Sequence, residues 1–301
     1  MKDAVECVIC NSRRLKPRKA LVAPFIARRV WDRKSFPVRL LECADCGFAF
    51  FSPRLEEDEE QRLYRNYRGE AYQQMRYLFE PWYTKRFNDS LFCDGTMSAR
   101  RELLKRILAP YLAKTKVRSI LDFGGGKGEL IFDLVRGADR YVYDPSGTEP
   151  LPGIEELETL TDCKAHRYDL IVCSNVLEHV AYPRDVLRQI ADVASPGTAI
   201  FLEVPDEPPF SYRHKAKRLL QWTVLLPTRP TLALSLAGPG IVSLMQEHVN
   251  FFSPTALGRL MSSMGLEIQA SGSYGKNSLM NTKTLWSLGC QKGAQARWHP
   301  A

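Results

Sequence analysis

Two sets of residues in this 301-residue chain have the types and spacing to do chemistry. The first is a pair of knuckles, Cys7-x2-Cys10 and Cys43-x2-Cys46. Each C-x2-C lets two thiolates converge on one ion from a tight turn, and two of them complete the tetrahedral sulfur set that structural Zn²⁺ prefers. Gly47, just after Cys46, suits the positive φ such a turn often needs. A redox dithiol is the other use of the spacing, but it needs a thioredoxin-like setting that this sequence lacks. Four thiolates close the coordination sphere, so the ion is expected to hold the fold and not to react. Cys93, Cys163, Cys173 and Cys290 have no metal spacing and read as small apolar core residues.

The second set is Ile120-Leu121-Asp122-Phe123-Gly124-Gly125-Gly126-Lys127-Gly128-Glu129. A strand running into glycines that open a helix lets backbone N–H groups approach a ligand closely. It is not a dinucleotide fingerprint, because Glu129 stands where the third glycine would fall. Nor is it a P-loop, because no Ser or Thr follows Lys127. Asp144 ends the next strand, Tyr141-Val142-Tyr143-Asp144, where a carboxylate can accept the hydroxyl protons of a ribose. Taken alone, Asp144 is equally a surface aspartate in a turn.

Three zones must position these residues. Residues 1–54 are basic and carry the knuckles, and residues 55–113 read as a helical linker or cap. Residues 114–292 alternate strand and helix, the pattern of a parallel sheet with helices on both faces, and 293–301 form a tail. The expected strands are Val117–Phe123, Arg140–Tyr143, Asp169–Cys173, Thr198–Val204, Leu266–Ala270 and Thr284–Cys290. The expected helices are Lys127–Arg136, Pro183–Ala194 and one opened by Ser253-Pro254 that runs to Met264. Residues 208–246 interrupt this alternation.

The segment Asp122-x-Gly124-x-Gly126-x-Gly128 resembles the first motif of class I S-adenosylmethionine-dependent methyltransferases. The likeness continues through Asp169-Leu170-Ile171 and Asn175-Val176-Leu177-Glu178-His179-Val180, then Glu203-Val204-Pro205, then Glu247-His248-Val249-Asn250-Phe251-Phe252-Ser253. These match a subfamily with N-terminal CxxC…CxxC modules, often associated with sugar, polysaccharide or natural-product biosynthesis. The resemblance implies a Rossmann-like α/β methyltransferase sheet preceded by a zinc-binding module. It places S-adenosylmethionine on Asp122, Gly124, Gly126, Gly128, Asp144 and Asn175, and structural Zn²⁺ on Cys7, Cys10, Cys43 and Cys46. It also makes residues 208–246 a lid over the acceptor, and compares Tyr64, Tyr67 and Tyr72 with a tyrosine-rich helix of relatives. The 301 residues leave no room for the further C-terminal domain expected of the sugar C-methyltransferases, so O-methyl transfer is expected as readily as C-methyl transfer.

Methyl transfer from a sulfonium needs mainly an aligned acceptor and a group to take its proton. His299 lies in the tail, His166 in a loop and His214 in a basic run, while His179 reads as a shaper of the pocket. His248 is the expected catalytic base, with Glu247 as helper or alternative.

The bulk composition agrees with a globular enzyme: 45% hydrophobic, 25% charged, mean hydropathy −0.27 and net charge +8. Residues 1–54 hold twelve Lys and Arg against five Asp and Glu, a face that suits nucleic acid, an anionic membrane or phosphorylated substrates as readily as plain solvation. The absence of an apolar leader after Met1-Lys2-Asp3 points to the cytoplasm. The basic–apolar stretch 213–226 allows peripheral contact with the inner membrane face, and a dimer surface is a further use for it. A small-molecule, sugar-type acceptor is the leading expectation. An RNA methyltransferase gripping its substrate with the zinc module is the alternative, though no Asn/Asp-Pro-Pro-aromatic motif follows the fourth strand. A catalytically silent binding partner is a third reading, opposed by the intact glycine loop and Asp144.

Overall fold

The computed structural model describes residues 1–91, 93–209, 220–221, 223–227, 243–275 and 283–291. Most of the expected lid 208–246, its basic run and the tail 293–301 lie outside the described residues.

A seven-stranded sheet carries the second half of the chain. Its strands are β4 (Ser119–Phe123), β5 (Asp139–Tyr143), β6 (Glu155–Glu156), β7 (Leu170–Ser174), β8 (Ala199–Asp206), β11 (Leu266–Tyr274) and β12 (Lys283–Gln291). The order is β11-β12-β8-β7-β4-β5-β6. β4 runs parallel to β5 and β7, and β8 parallel to β7, whereas β12 is antiparallel to both β8 and β11. The central strands Leu170-Ile171-Val172-Cys173 and Ala199-Ile200-Phe201-Leu202 are buried on both faces, which is why they read as unbroken apolar runs. This is the α/β methyltransferase sheet that the sequence leads one to expect.

Helices cover both faces. α5 (Asp94–Leu112) buries Met97, Leu104, Leu108 and Tyr111 on one side. On the other side, α7 (Pro183–Val193) buries Leu187, Ile190 and Val193, and α8 (Pro254–Ser263) buries Ala256, Leu257, Leu260 and Met261. Both of the latter start with proline in the first turn, and Ser253 caps α8 by accepting a 3.0 Å bond from the Ala256 N–H, a cap worth about 1 kcal/mol.

The expected helix over Lys127–Arg136 is not formed. The segment is a run of turns closed by bonds from Gly128 N to Gly125 O, Ile131 N to Gly128 O and Leu134 N to Ile131 O. Gly126 and Gly128 take φ of +57° and +73°, which is outside α geometry. The i→i−3 bonding that follows still buries Leu130, Ile131 and Leu134, so the apolar spacing that suggested a helix serves the same core.

The N-terminal region forms a second sheet from β1 (Leu15–Val22), β2 (Pro37–Cys43) and β3 (Ala49–Ser52), with α1 (Pro24–Trp31) between β1 and β2. Its edges are completed from far along the chain. β9 (Ser243–Met245) pairs with β1, and β10 (Asn250–Phe251) pairs with β3, giving the order β10-β3-β2-β1-β9. Glu247 and His248 lie between two strands that close opposite edges of one sheet. The helices α2 (Glu57–Tyr64), α3 (Glu70–Phe79) and α4 (Lys85–Ser90) follow, and a short α6 (Leu160–Ala165) lies before β7. One apolar cluster joins Cys7, Cys43, Cys46 and Phe48 to Ile171, Leu202, Leu187 and Leu257, so the cysteine end of the small sheet and the large sheet share a core.

Candidate functional site

The glycine loop leaves the end of β4 and is shaped by close packing. At Gly124 (φ +76°) a Cβ would stand 2.5 Å from Val176 Cγ2. At Gly126 a Cβ would meet only Asp144 Oδ2, at 4.0 Å, so this part of the loop borders open space. The Gly126 N–H donates to Asp144 Oδ2 at 2.7 Å, and the Ser146 N–H donates to Asp144 Oδ1 at 2.8 Å. The acid that sequence spacing singled out is therefore fixed against the loop by two backbone donors, with lone pairs remaining on both oxygens.

Asp122 lies at the base of the loop, 2% exposed, and its Oδ2 has no hydrogen-bond partner among the described residues. Burial first, and the neighbouring Asp144 second, push its carboxyl up to about 7. A fully buried, unpaired acid is costly, and sites that tolerate one generally use it. Beside it, Glu203 from β8 accepts from Tyr274 Oη at 2.5 Å and Ser174 Oγ at 3.0 Å, with Arg100 Nη2 at 3.8 Å. Arg100, on α5, also donates to Ser174 Oγ at 2.9 Å. Asn175 follows with φ of +55°, its N–H donating to Glu203 O at 2.9 Å. The ends of β4, β7 and β8 thus gather an unpaired acid, a paired acid and an arginine around the glycine loop. Arg100 and Tyr274 had no motif around them to mark them in the sequence.

The second half of the site lies where the turn after β7 meets the β9–β10 segment. The rings of His179 and His248 stand edge to face, with centroids 4.8 Å apart. His179 Nδ1 is 3.2 Å from Glu247 O and 3.3 Å from Tyr64 Oη. The carbonyl can only accept, so Nδ1 carries the proton. Burial and the nearby His248 push the His179 imidazole down to about 3, so it stays neutral. His248 Nδ1 lies 3.0 Å from Glu207 Oε2, beyond the end of β8. Despite the opposing effect of burial, Glu207 raises the His248 imidazole above its ordinary value. Glu178 is 2% exposed, neither of its carboxylate oxygens has a hydrogen-bond partner among the described residues although His179 Nε2 stands 3.9 Å from Oε1, and burial pushes it up to about 7.

Glu247 is held differently. Its carboxylate pairs with Arg76 Nη1 at 2.7 Å and accepts from Tyr72 Oη. Although burial alone would raise it, Arg76, Arg68 and the Tyr72 hydroxyl hold the carboxyl down to about 2. An acid so stabilised as the anion is a poor proton acceptor, and Glu247 here anchors α3 to the site. The nearby rings of Tyr64, Tyr67 and Tyr72 pack edge to face on one another.

Arg54 straps these segments together and was not visible in the sequence. It is 2% exposed and donates to Ala181 O at 2.9 and 2.5 Å, Val180 O at 3.2 Å, Val249 O at 3.2 Å, Phe51 O at 2.9 Å and Asn250 Oδ1 at 2.7 Å. The Asn250 amide in turn donates to Leu177 O and Val180 O, both at 2.7 Å.

At the far end of the small sheet the four expected cysteines converge. Cys7 Sγ is 3.7 Å from Cys46 Sγ, Cys10 Sγ is 3.6 Å from Cys43 Sγ, and all four sulfurs lie within 4.8 Å of one another. A tetrahedron of Zn–S bonds of about 2.3 Å has edges near 3.8 Å, so the donor set fits the ion. The contact with Cys46 lowers the Cys7 thiol to about 5, and the same contact raises Cys46. Without a cation the pair shares one negative charge, a restriction that a bound divalent ion removes.

Residues 97–271, more than half the chain, match the family described as a methyltransferase domain. The chain belongs to this family, the S-adenosylmethionine-dependent methyltransferases. It is 23% identical over 183 residues to the ubiquinone biosynthesis O-methyltransferase of Pseudoalteromonas translucida, covering 56% of this chain and 71% of that one. It is 31% identical over 111 residues to the enzyme of the same name from Aeromonas salmonicida, covering 32% of this chain and 46% of that one. Against the Nitrosospira multiformis enzyme of that name the values are 29% over 113 residues, 38% and 41%, so the chain spans less than half the length of these last two relatives. Among solved structures, the Burkholderia thailandensis 1,6-didemethyltoxoflavin-N1-methyltransferase superimposes with a TM-score of 0.48 at 14% identity, covering 82% of this chain and 97% of that one.

Proposed function

We propose that this chain transfers a methyl group from S-adenosylmethionine to a hydroxyl oxygen of a small-molecule acceptor, with a sugar as the acceptor class. The observation that carries the reading is that the glycine loop, with Asp122 at its base, follows β4, while the turn after the adjacent strand β7 holds His179, whose ring packs on His248 from the β9–β10 segment. The relatives from Pseudoalteromonas translucida and Aeromonas salmonicida are O-methyltransferases, which favours oxygen over carbon as the atom methylated. The sugar class rests on the likeness of the motifs and cysteine module to sugar-modifying relatives.

The residues present suit the cofactor. Asp122 has an unpaired carboxylate oxygen for a cationic group, Arg100 a guanidinium for a carboxylate, and Asp144 lone pairs for ribose hydroxyls. When bound, S-adenosylmethionine supplies a methyl group already activated by a sulfonium. What remains for the chain is to align the acceptor and take its proton. His248 is the group suited to take it, because Glu247 is tied up by Arg76 and His179 is too weakly basic. The buried Tyr72 and the half-buried Tyr64 and Tyr67 line this side of the site.

The test is a panel of nucleotide sugars, free sugars and phenols incubated with methyl-labelled S-adenosylmethionine, with the position of the label read by mass spectrometry. Labelled oxygen on a sugar is expected. Label on a phenol alone would replace the sugar class, and label on carbon or nitrogen would overturn oxygen transfer. With an active acceptor, His248→Asn should lower kcat about 10²–10⁴-fold and leave the affinity for S-adenosylhomocysteine unchanged. Wild-type turnover in His248→Asn would remove this histidine from the mechanism.

A further inference from the structure

Glu207 is the first acid beyond the end of β8, in Val204-Pro205-Asp206-Glu207. Its carboxylate reaches His248 across 41 positions of sequence. No motif in the sequence marked it, and the family's glycine loop and Glu247-His248 pair do not require it. A carboxylate only accepts hydrogen bonds when ionised, so at 3.0 Å the bridging proton sits on His248 Nδ1. That fixes which nitrogen is left to act.

We propose that Glu207 is the positioning residue for His248, holding its imidazole as the Nδ1–H tautomer so that Nε2 is the basic atom offered to the acceptor hydroxyl. This rests on the reading of His248 as the base. The acceptor O–H gives its proton to Nε2, and the oxygen forms a bond to the methyl carbon. The methyl–sulfur bond breaks with its electron pair going to sulfur, which becomes a neutral thioether. His248 ends as an imidazolium whose Nδ1–H still faces the Glu207 carboxylate, so the new positive charge forms beside a negative one.

The surroundings of His248 make Glu207 the group that matters. From the turn after β7 it is faced by Glu178, an acid pushed toward its neutral form by burial, and by His179, which is neutral. On its own segment Glu247 is neutralised by Arg76. From α2, Tyr64 bonds to His179 and Glu247 O. Glu207 is the acid of this group that stands within hydrogen-bond reach of a His248 ring nitrogen. It also raises the His248 imidazole, which makes the ring a stronger base once deprotonated.

The experiment is ¹⁵N NMR of the full chain labelled at histidine, titrated with pH, the His248 resonances being assigned by their loss in His248→Asn. In the wild type, His248 should titrate above about 6.5 and, above its pKa, show Nδ1 as the protonated nitrogen. In Glu207→Gln its pKa should fall, with both tautomers populated. On an active acceptor the rising limb of kcat against pH should move to lower pH by the same amount, with KM for S-adenosylmethionine unchanged. A wild-type His248 protonated at Nε2, or a titration unaltered in Glu207→Gln, overturns the assignment. The wild-type tautomer decides the question even if Glu207→Gln does not fold. The two readings fail separately: His248→Asn with full activity sinks the base, whereas an unaltered titration with an inactive His248→Asn sinks only Glu207.

Discussion

At the scale of single residues, Asp122 shows the tension between stability and use. Its carboxyl is buried, half unpaired and pushed up to about 7. Because the folded-state value lies above the unfolded value of about 3.9, its contribution to stability is fully present below that value. It is lost as the pH rises through about 7. Asp122→Asn removes the ionisable group and is expected to raise the melting temperature of the cofactor-free protein at pH 8 by a few degrees. The same change should weaken S-adenosylhomocysteine binding roughly 10–100-fold, by loss of a charged hydrogen-bonding group. A variant no more stable than wild type at pH 8 would show that the unpaired acid is not costly. The position of Asp122 at the base of the loop was legible because a Gly-rich turn after an apolar strand announces it. Arg100, Tyr274 and Glu207 were not legible, since each reaches the site from another element by its side chain alone.

At the scale of elements, the longer strands and helices of the large sheet follow the sequence because their signals are local. β7 and β8 are buried apolar runs, and α8 has Ser253, Pro254 and Gly265 as start and stop. The strands β9 and β10 escaped because three and two residues carry no periodicity, and their pairing partners lie some 200 positions away. Lys127–Arg136 was misread because its apolar spacing fits turns as well as a helix, and the glycines decide between them. Arg54 holds the resulting arrangement through carbonyls flanking both site histidines. Arg54→Met strips those buried carbonyls of their donor and should destabilise the fold by several kcal/mol, on the order of 3. Urea denaturation reads this; a loss below about 1 kcal/mol would mean that water replaces the guanidinium at little cost.

At the scale of the molecule, the two sheets are interdependent. The cysteine end of the small sheet shares a core with α7 and α8, Ser253 Oγ donates to Cys46 O at 2.6 Å, and the small sheet's outer strands bracket Glu247 and His248. Elemental analysis is expected to find one Zn²⁺ per chain on the four cysteines, and its removal is expected to cost activity although the cysteines lie away from His248. Chelation should abolish methyl transfer together with the near-ultraviolet signal of the N-terminal aromatics, and full activity in metal-free protein would refute the coupling. The basic N-terminus is less bare than its composition suggests: Arg14, Arg18, Arg28 and Arg39 each pair with an acid. No described helix is long and apolar enough to cross a membrane.

S-adenosylmethionine chemistry at the glycine loop underlies every step proposed for this chain, and isothermal calorimetry with S-adenosylhomocysteine tests it most directly. Wild-type protein should bind one equivalent per chain, and Asp144→Ala should lower the affinity about 5–100-fold, equivalent to losing one or two hydrogen bonds to a polar ligand. Absence of binding by folded, zinc-loaded wild type, or equal affinity in Asp144→Ala, would contradict a cofactor site at this loop.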